Sequence, residues 1–470
     1  MATLRPTAPR TNPLSKLTAL ASSWRRSVLG RLLNRFLSDA LQRRLARGAL
    51  SALVVNVLAI VVALLAQLVL ARTLGVEGYG IYAYVLGWVN FLIVPAMLGM
   101  NTAQLRYVAA YRAREEWGLL RGVMAFADRV VVAGGLVCCL IAILVVWLIS
   151  DRLAPALAQT FYVGLLMMPP LALMKARAAT VRALGRVVAA LAPDMLARQL
   201  VILIGVGALV VLLPGLVGPV TATAVAMAAA LFSLGLVSHT QSRIRPSPAR
   251  EAEPLQRRRE WLTTSIPLLF IASANIVNAQ AGLLMLGWLS DTTDAGIYAI
   301  ASRLGGFVHF PLAIVSLVFA PTISHLYAKD EHATLQRTAT ATACWTTAGA
   351  LMVGLPLFIV PGFVLSLFGE AFAAGETPLR ILVIGGLVHA MTGSVGPIMS
   401  MTGLERQATV ITAGAATLNV LLNLVLIPPF GIAGAATARM VSLVILNLAA
   451  VVVVWRRRQI FSGVFAILRR

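Results

Sequence analysis

The chain repeats part of its own sequence at a fixed interval, and this repeat restricts the fold more than any single motif. The segment Gly80–Ala83 returns without a gap as Gly296–Ala299, and we call the interval from Gly80 to Gly296 the repeat spacing. Because a repeat of this kind means that one structural unit occurs twice, the sequence predicts two copies of the same architecture. The repeat spacing also pairs Phe91 with Phe307, Pro95 with Pro311, Tyr111 with Tyr327, Glu115 with Glu331, Gly218 with Gly434, Thr221 with Thr437 and Ala222 with Ala438.

The composition indicates the class of protein to which the repeated unit belongs. Apolar residues make up 59% of the chain, charged residues 12%, and the mean hydropathy is +0.87, which is typical of a polytopic membrane protein. We predict an all-α fold of about twelve transmembrane helices, in two pseudo-symmetric six-helix lobes around a central cavity. The apolar runs lie near 50–71, 81–101, 130–149, 160–174, 199–213, 219–238, 264–289, 297–320, 338–360, 379–401, 408–427 and 432–455.

The distribution of arginine predicts the orientation. The net charge of +22 would also suit a nucleic-acid-binding protein, but the basic residues collect in alternate loops and not on one soluble domain. Six crossings in each lobe then give the two lobes the same orientation. We expect both termini in the cytoplasm, because the basic loops include Arg106, Arg112, Arg114, Arg121, Lys175, Arg177, Arg182, Arg186, Arg257, Arg258 and Arg259.

The charged stretches also predict the domain boundaries. Residues 1–48 carry ten basic side chains and one acidic one, with apolar residues at helical spacing, and indicate a cytoplasmic amphipathic arm. The N-terminal lobe is predicted at 49–238 and the C-terminal lobe at 262–455. The polar, proline-bearing stretch 239–261 is the predicted cytoplasmic linker, and 456–470 the cytoplasmic tail.

Two passages resemble one protein family. The segment 70–84, LARTLGVEGYGIYAY, is similar to the first-loop signature of bacterial polysaccharide flippases. The segment 419–439, NVLLNLVLIPPFGIAGAATAR, resembles the pattern that closes the same proteins, although Arg439 stands where they more often have a small or hydroxyl residue. With the repeat and the length, the chain resembles the Wzx-like flippases of the multidrug, oligosaccharidyl-lipid and polysaccharide exporter (MOP) superfamily.

This resemblance implies a function. It implies a transporter, not an enzyme, which moves polyprenyl-pyrophosphate-linked oligosaccharide from the cytoplasmic to the outer leaflet by alternating access. The implied location is the bacterial plasma (inner) membrane, and the implied process is surface polysaccharide biosynthesis. Lipid-linked oligosaccharide and membrane lipids are the expected partners, a polysaccharide polymerase and glycosyltransferases are further candidates, and no nucleic acid is expected.

A pyrophosphate headgroup requires cations, and two arginines are the first candidates to supply them. Arg303 lies six residues into the predicted eighth helix, about 9 Å along its axis. A charge at that depth either lines a polar cavity or extends to the interface. Arg439 lies at a similar depth in the twelfth helix and has a weaker claim.

Polar amides are the next candidates, because neutral donors and acceptors bind sugar hydroxyls. These residues are Asn275 and Asn278 in the seventh predicted helix and Asn56 and Gln67 in the first. Hydrogen bonding between helices is the alternative, and for these amides we favour it.

Prolines and glycines predict where the helices flex. Pro169 and Pro170 in the fourth predicted helix correspond, at the repeat spacing, to Gly385 and Gly386 in the tenth. Paired interruptions predict a hinge or gate, with harmless kinks as the alternative. His389, one turn further, could carry a proton or simply hydrogen-bond within the bundle.

Other functions receive less support from the sequence. We find no nucleophile with a partner base, no metal-ligand spacing and no phosphate-binding loop, so no catalytic residue, metal or cofactor is predicted. Asp128, Asp151 and Asp194 lie near predicted helix ends and leave the coupling ion open. A peptidoglycan lipid-precursor flippase or a drug exporter of the same superfamily remains the alternative. A membrane-embedded polysaccharide polymerase or ligase is less favoured.

Overall fold

A computed structural model describes residues 40–464, and all regular elements among them are helical. The fold class predicted from the sequence is therefore confirmed. Ten helical segments of this described part are long and apolar enough to cross a membrane. The described chain divides at residue 54, and residues from Val55 onward form one compact unit. The predicted arm, residues 1–48, lies outside the described residues except for the helical stretch from Ala40.

The described part of the first half contains nine α-helices. They are α1 (Ala40–Ala96), α2 (Met100–Ala113), α3 (Trp117–Leu148), α4 (Pro155–Leu166), α5 (Met168–Ala183), α6 (Val187–Ala192), α7 (Arg198–Leu212), α8 (Pro219–Ile244) and α9 (Ser247–Glu251). A short π-helical segment, Pro193–Ala197, joins α6 to α7.

The second half repeats this order. It contains α10 (Arg258–Leu289), α11 (Thr292–Gly306), α12 (Phe310–Ala328), α13 (His332–Ile359), α14 (Pro361–Ser366), α15 (Glu376–Thr392), α16 (Val395–Met401) and α17 (Glu405–Arg458). A shift by the repeat spacing places α3 on α13 and α8 on the second part of α17, as the sequence predicts.

Two of the ten candidate spans are long enough to cross twice. Val55–Ala96 has 42 residues and Glu405–Arg458 has 54. At about 1.5 Å per residue, each is at least twice the roughly 30 Å of a bilayer core. Each also contains one glycine with non-helical backbone, Gly75 at φ 68° and Gly431 at φ 52°. The count of twelve crossings stays a prediction, and these two breaks are where the additional turns would lie.

The helices are longer than the apolar runs that predicted them. α3 includes Asp128 and α5 includes Arg177, two residues that the sequence places at a helix end and in a loop. The two side chains form an ion pair with 3.1 Å between Nε and Oδ2, so the charges are neutralised within the bundle. The predicted linker is likewise partly helical, since α8 continues to Ile244 and α10 begins at Arg258.

The two halves meet closely at the predicted outer face. An ideal Cβ built on Gly80 would lie 2.1 Å from the carbonyl oxygen of Thr292, and one built on Gly296 would lie 2.6 Å from the Cα of Gly80. Gly80 and Gly296 are equivalent positions of the repeat. Equivalent residues touch only where the axis relating the two copies passes between them, so this contact, which we call the glycine seam, marks the pseudo-twofold axis.

Candidate functional site

Arg303 lies further from the start of its helix than the sequence predicts. Asp291 caps α11 by accepting a hydrogen bond from the backbone N–H of Asp294 at 2.7 Å, so the helix starts at Thr292 and not at 297. Arg303 is therefore eleven residues, roughly 16 Å, along the helix. Its side chain is exposed in the protein, as is required of a cation that contacts a ligand and not a protein partner.

Arg439 lies beside the same turn of α11. Its Nη1 donates a hydrogen bond of 3.0 Å to the hydroxyl of Ser302, the residue that precedes Arg303. The structure thus brings Arg439 into contact with the residue that precedes Arg303, although the two helices are far apart in the sequence. Arg439 is half-buried and held in place, whereas Arg303 is exposed.

A third arginine, in the first half, shares an electrostatic neighbour with Arg303. Arg198, at the start of α7, and Arg303 both lie close enough to the buried hydroxyl of Tyr82 to act on it electrostatically. Arg198 is not among the predicted site residues, because the apolar run that predicts this helix begins at the next residue.

Arg198 belongs to a charge network that the sequence also missed. Its Nε lies 3.0 Å from Asp194 Oδ1, and Lys175 Nζ lies 3.5 Å from Asp194 Oδ2. Asp194 lies within the candidate span Val187–Leu212, in the π-helical segment, and so is not at a helix end. The expectation that Asp194 and Asp128 lie near helix ends was wrong, because both lie within candidate spans, and each of the two is paired with a base.

The amide candidates divide between helix contacts and exposed positions. Asn278 Nδ2 donates to the backbone carbonyl oxygens of Ala274 and Thr412, at 3.1 and 3.3 Å. The backbone carbonyl oxygen of Asn278 accepts a hydrogen bond of 3.3 Å from Asn419 Nδ2. Asn278 thus joins α10 to α17. Asn275 is exposed on α10, where its amide is accessible to a ligand.

The two candidate amides of α1 both precede the break at Gly75. Gln67 is buried and accepts a hydrogen bond of 2.6 Å from the hydroxyl of Tyr79, across the break at Gly75. This bond fixes the two parts of α1 relative to each other. Asn56 is half-buried near the beginning of the compact unit.

The predicted paired interruption is present in the first half only. α4 ends at Leu166 and α5 begins at Met168, so the helix breaks beside Pro169 and Pro170. α15, by contrast, continues through Gly385 and Gly386. These two glycines provide close packing, since a Cβ on Gly385 would lie 3.1 Å from Met440 and one on Gly386 3.0 Å from Val308.

The second-half break lies further along, at Gly393 with φ 69°. Hinge motion at any of these four positions, Pro169, Pro170, Gly385 and Gly386, stays a prediction. Just before the break, His389 Nδ1 lies 2.7 Å from Asn447 Oδ1, and its ring packs against His309 with centroids 5.2 Å apart.

The described residues contain no group of three or more His, Cys, Asp or Glu side chains that could hold a metal ion. Cys138, Cys139 and Cys344 are free thiols. Guanidinium, amide and hydroxyl groups are present among the candidate residues, and such groups bind anions and sugars.

Comparison with known proteins identifies the family. A model of the polysaccharide biosynthesis protein family matches residues 45–327, more than half of the chain. The chain belongs to this family. The resemblance inferred from the first-loop and closing segments is thereby confirmed. The matched residues include both Gly80 and Gly296, so the match covers parts of both halves.

A curated relative matches a part of the chain. The probable flippase AglR of Haloferax volcanii is 32% identical over 174 residues. The aligned segment spans 36% of this chain and 36% of the relative, so the chain matches about a third of that protein's length.

Solved transporter structures show the fold. A multidrug resistance MATE family transporter of the MOP superfamily in an inward-facing conformation has a TM-score of 0.66 at 12% identity, covering 90% of this chain and 99% of that one. The lipid II flippase MurJ, inward closed, gives 0.63 at 12% identity, covering 86% and 87%. The Vibrio cholerae MATE transporter VcmN gives 0.62 at 13% identity, covering 88% and 98%. The chain is a multi-pass membrane protein with the fold of MOP-superfamily transporters.

Proposed function

We propose that this family member is a flippase, which moves a polyprenyl-pyrophosphate-linked oligosaccharide from the cytoplasmic to the outer leaflet of the bacterial plasma membrane. The observation that carries the proposal is the exposed guanidinium of Arg303 at mid-helix depth, beside Arg439. Guanidinium groups bind phosphate oxygens through paired hydrogen bonds and stay charged at this depth. An exposed cation this far along a membrane-spanning helix is costly unless a ligand or water compensates it, so its position favours an anionic cargo.

The two-half architecture supports alternating access as the mechanism. The glycine seam lies on the pseudo-twofold axis at the predicted outer face, where a rocking motion of the halves would open or close a path. A polyprenyl tail has no favourable place in a polar cavity, so the tail would stay in lipid while the arginines hold the headgroup. Each negative charge moved outward gains about 2.3 kcal/mol per 100 mV of inside-negative potential, which drives the headgroup in the required direction.

Replacing Arg303 tests the proposal. Loss of one charged hydrogen-bonding partner costs about 1.5–3 kcal/mol, so Arg303→Ala should reduce transport roughly ten- to hundredfold. Arg303→Lys, which keeps the charge but loses the fork, should retain part of it. Arg337→Ala is the matched control, since Arg337 is an exposed arginine of α13 outside the site.

The measurement is the amount and sidedness of lipid-linked oligosaccharide in membranes, together with surface polysaccharide. Accumulation on the cytoplasmic face in Arg303→Ala, at normal protein levels, supports the proposal. Normal export in that variant would contradict it. A peptidoglycan precursor that accumulates instead would favour the second candidate function, for which the likeness to the MurJ fold is the motivating observation.

A further inference from the structure

A second cationic site lies away from the substrate-binding candidates, at the predicted cytoplasmic face of the first half. A cavity of about 370 Å³ opens between the ends of α3, α5 and α8 and the short helix α9. Its volume falls in the range of small-molecule sites, roughly 300–1,000 Å³. We call it the cationic pocket; it is lined by Asp128, Arg177, Ser238, Gln241, Ser242, Arg245 and Arg250.

The pocket carries three arginines and one carboxylate, an excess of positive charge. Arg177 is engaged, since its Nε lies 3.1 Å from Asp128 Oδ2 and its Nη1 donates to Ser238 Oγ at 2.6 Å. Arg245 is not fully satisfied, because its buried Nε has no hydrogen-bond partner within the protein. A buried donor without a partner costs free energy that a bound acceptor would recover.

The electrostatics of Arg245 point the same way. Burial lowers the pKa of this residue below its usual range, and the neighbouring guanidinium of Arg121 lowers it further, whereas the carboxylate of Asp128 raises it. An arginine nevertheless stays protonated in a protein. The unfavourable burial and repulsion at Arg245 would both be relieved by an anion in the pocket.

The repeat provides an internal control for this pocket. A shift by the repeat spacing places Cys344, Gly393, Val454 and Phe461 at the positions of Asp128, Arg177, Ser238 and Arg245. At the equivalent place in the second half, a Cβ on Gly393 would lie 2.5 Å from the carbonyl oxygen of Ser462 and 2.9 Å from the Cβ of Ala343. The second half therefore has no counterpart of the Asp128–Arg177 pair or of Arg245, so the fold itself does not require these residues. Arg457 and Arg458 stand there at the positions of Gln241 and Ser242.

The surroundings of the pocket suit a lipid better than a soluble anion. Along α3, the helix beyond Asp128 exposes Leu136, Leu140 and Leu144, and α8 exposes Phe232 and Leu236 before it reaches the pocket. These apolar surfaces would contact acyl chains. The cytoplasmic leaflet supplies anionic headgroups at the level where basic residues between helices bind them.

We propose that the cationic pocket binds the phosphate headgroup of an anionic phospholipid from the cytoplasmic leaflet. The pocket includes Arg250 of the linker, which is already attached to α3: Arg121 Nη1 donates to the carbonyl oxygens of Arg250 and Ala252 at 2.8 and 2.9 Å, and Leu255 N–H donates to Gly118 at 3.0 Å. A bound lipid would therefore strengthen the attachment of the linker to the first half.

Lipid titration of the full-length protein in detergent tests the proposal. Thermal stability is followed as phosphatidylglycerol or phosphatidylcholine is added, with inorganic phosphate and pyrophosphate as soluble anions. Phosphatidylglycerol should stabilise the protein at low mole fraction and phosphatidylcholine should not. Arg245→Gln should weaken this effect roughly tenfold, as expected for the loss of one charge-assisted hydrogen bond. Arg243→Gln removes the same charge from an exposed side chain two residues away and is the matched control.

The outcomes are distinguishable. If Arg245→Gln does not fold, Arg250→Gln takes its place, since Arg250 is exposed. Lipid-dependent stabilisation that is lost in a pocket variant and retained in Arg243→Gln supports the proposal. Equal losses in both variants, or no loss in either, would overturn it by showing non-specific charge attraction. Stabilisation by phosphate or pyrophosphate without a lipid effect would overturn it in favour of a soluble anion.

Discussion

Replacing Gly80 with alanine tests whether the glycine seam holds the predicted outer face closed. The added Cβ would lie 2.1 Å from the Thr292 carbonyl oxygen. That atom is backbone and cannot rotate away, so the halves must separate by about 1.3 Å, the difference from the 3.4 Å at which ordinary contact begins. Overpacking of this kind costs about 1–3 kcal/mol. Alanine's higher helix propensity acts on both conformations equally, so only the overpacking changes their ratio.

A cost of about 1–3 kcal/mol on the closed conformation alone shifts the ratio of closed to open molecules about 5- to 150-fold. The shift can be measured as a distance distribution between spin labels at Asp151 and Glu370, two exposed residues on the predicted outer side of different halves. The three native cysteines are replaced first. Gly80→Ala should add a longer-distance population, and Gly215→Ala, where nothing lies within 4 Å, should not.

A double variant makes the test sharper. Gly296→Ala produces a clash at the same seam, so once Gly80→Ala has separated the halves, the second change should cost less than it does alone. Identical distance distributions in wild type and Gly80→Ala would refute the reasoning. So would fully additive effects of Gly80→Ala and Gly296→Ala.

Three further changes test other contacts. Asn278→Ala should lower the free energy of unfolding by about 1–3 kcal/mol, because it removes the side-chain hydrogen bond from α10 to Thr412 of α17, whereas the exposed Asn275→Ala should stay within about 0.5 kcal/mol; equal changes in their melting temperatures would contradict the assignment. Tyr79→Phe should cost about 1–3 kcal/mol by leaving buried Gln67 without its donor, and an unchanged melting temperature would argue against that bond. Gly122→Ala should detach the linker, because its Cβ would lie 1.7 Å from the Leu255 carbonyl oxygen, so protease cleavage in 239–257 should accelerate; an unchanged cleavage rate would speak against this packing.

The repeat and the apolar runs predicted the helical class and the order of the elements, because both follow from local composition. Helix ends were predicted less well. Apolar runs stop at the first charge, but Asp128 and Arg177 neutralise each other across α3 and α5, so the helices continue. A pairing between residues so far apart in the chain has no local signature in the sequence.

In the candidate site, too, some features follow from the local sequence and others depend on how the helices pack. The choice of Arg303 and Arg439 needed only a charge inside an apolar run. Their proximity through Ser302, and the presence of Arg198 near Tyr82, depend on how the helices pack. The double glycine at 385–386 suggested a break, but close packing against Met440 and Val308 uses both residues within a continuous helix.

The ion pair between Asp128 and Arg177 also affects how the chain is inserted into the membrane during synthesis. Each residue alone, towards the cytoplasmic end of a spanning helix, would oppose insertion by less than the about 2.5–3.5 kcal/mol that applies at the helix centre. α3 leaves the ribosome before α5, so its carboxylate has no basic partner until the later helix arrives. We therefore expect α3 and α5 to leave the translocation channel together, with α4 between them, as one cooperative unit of biogenesis.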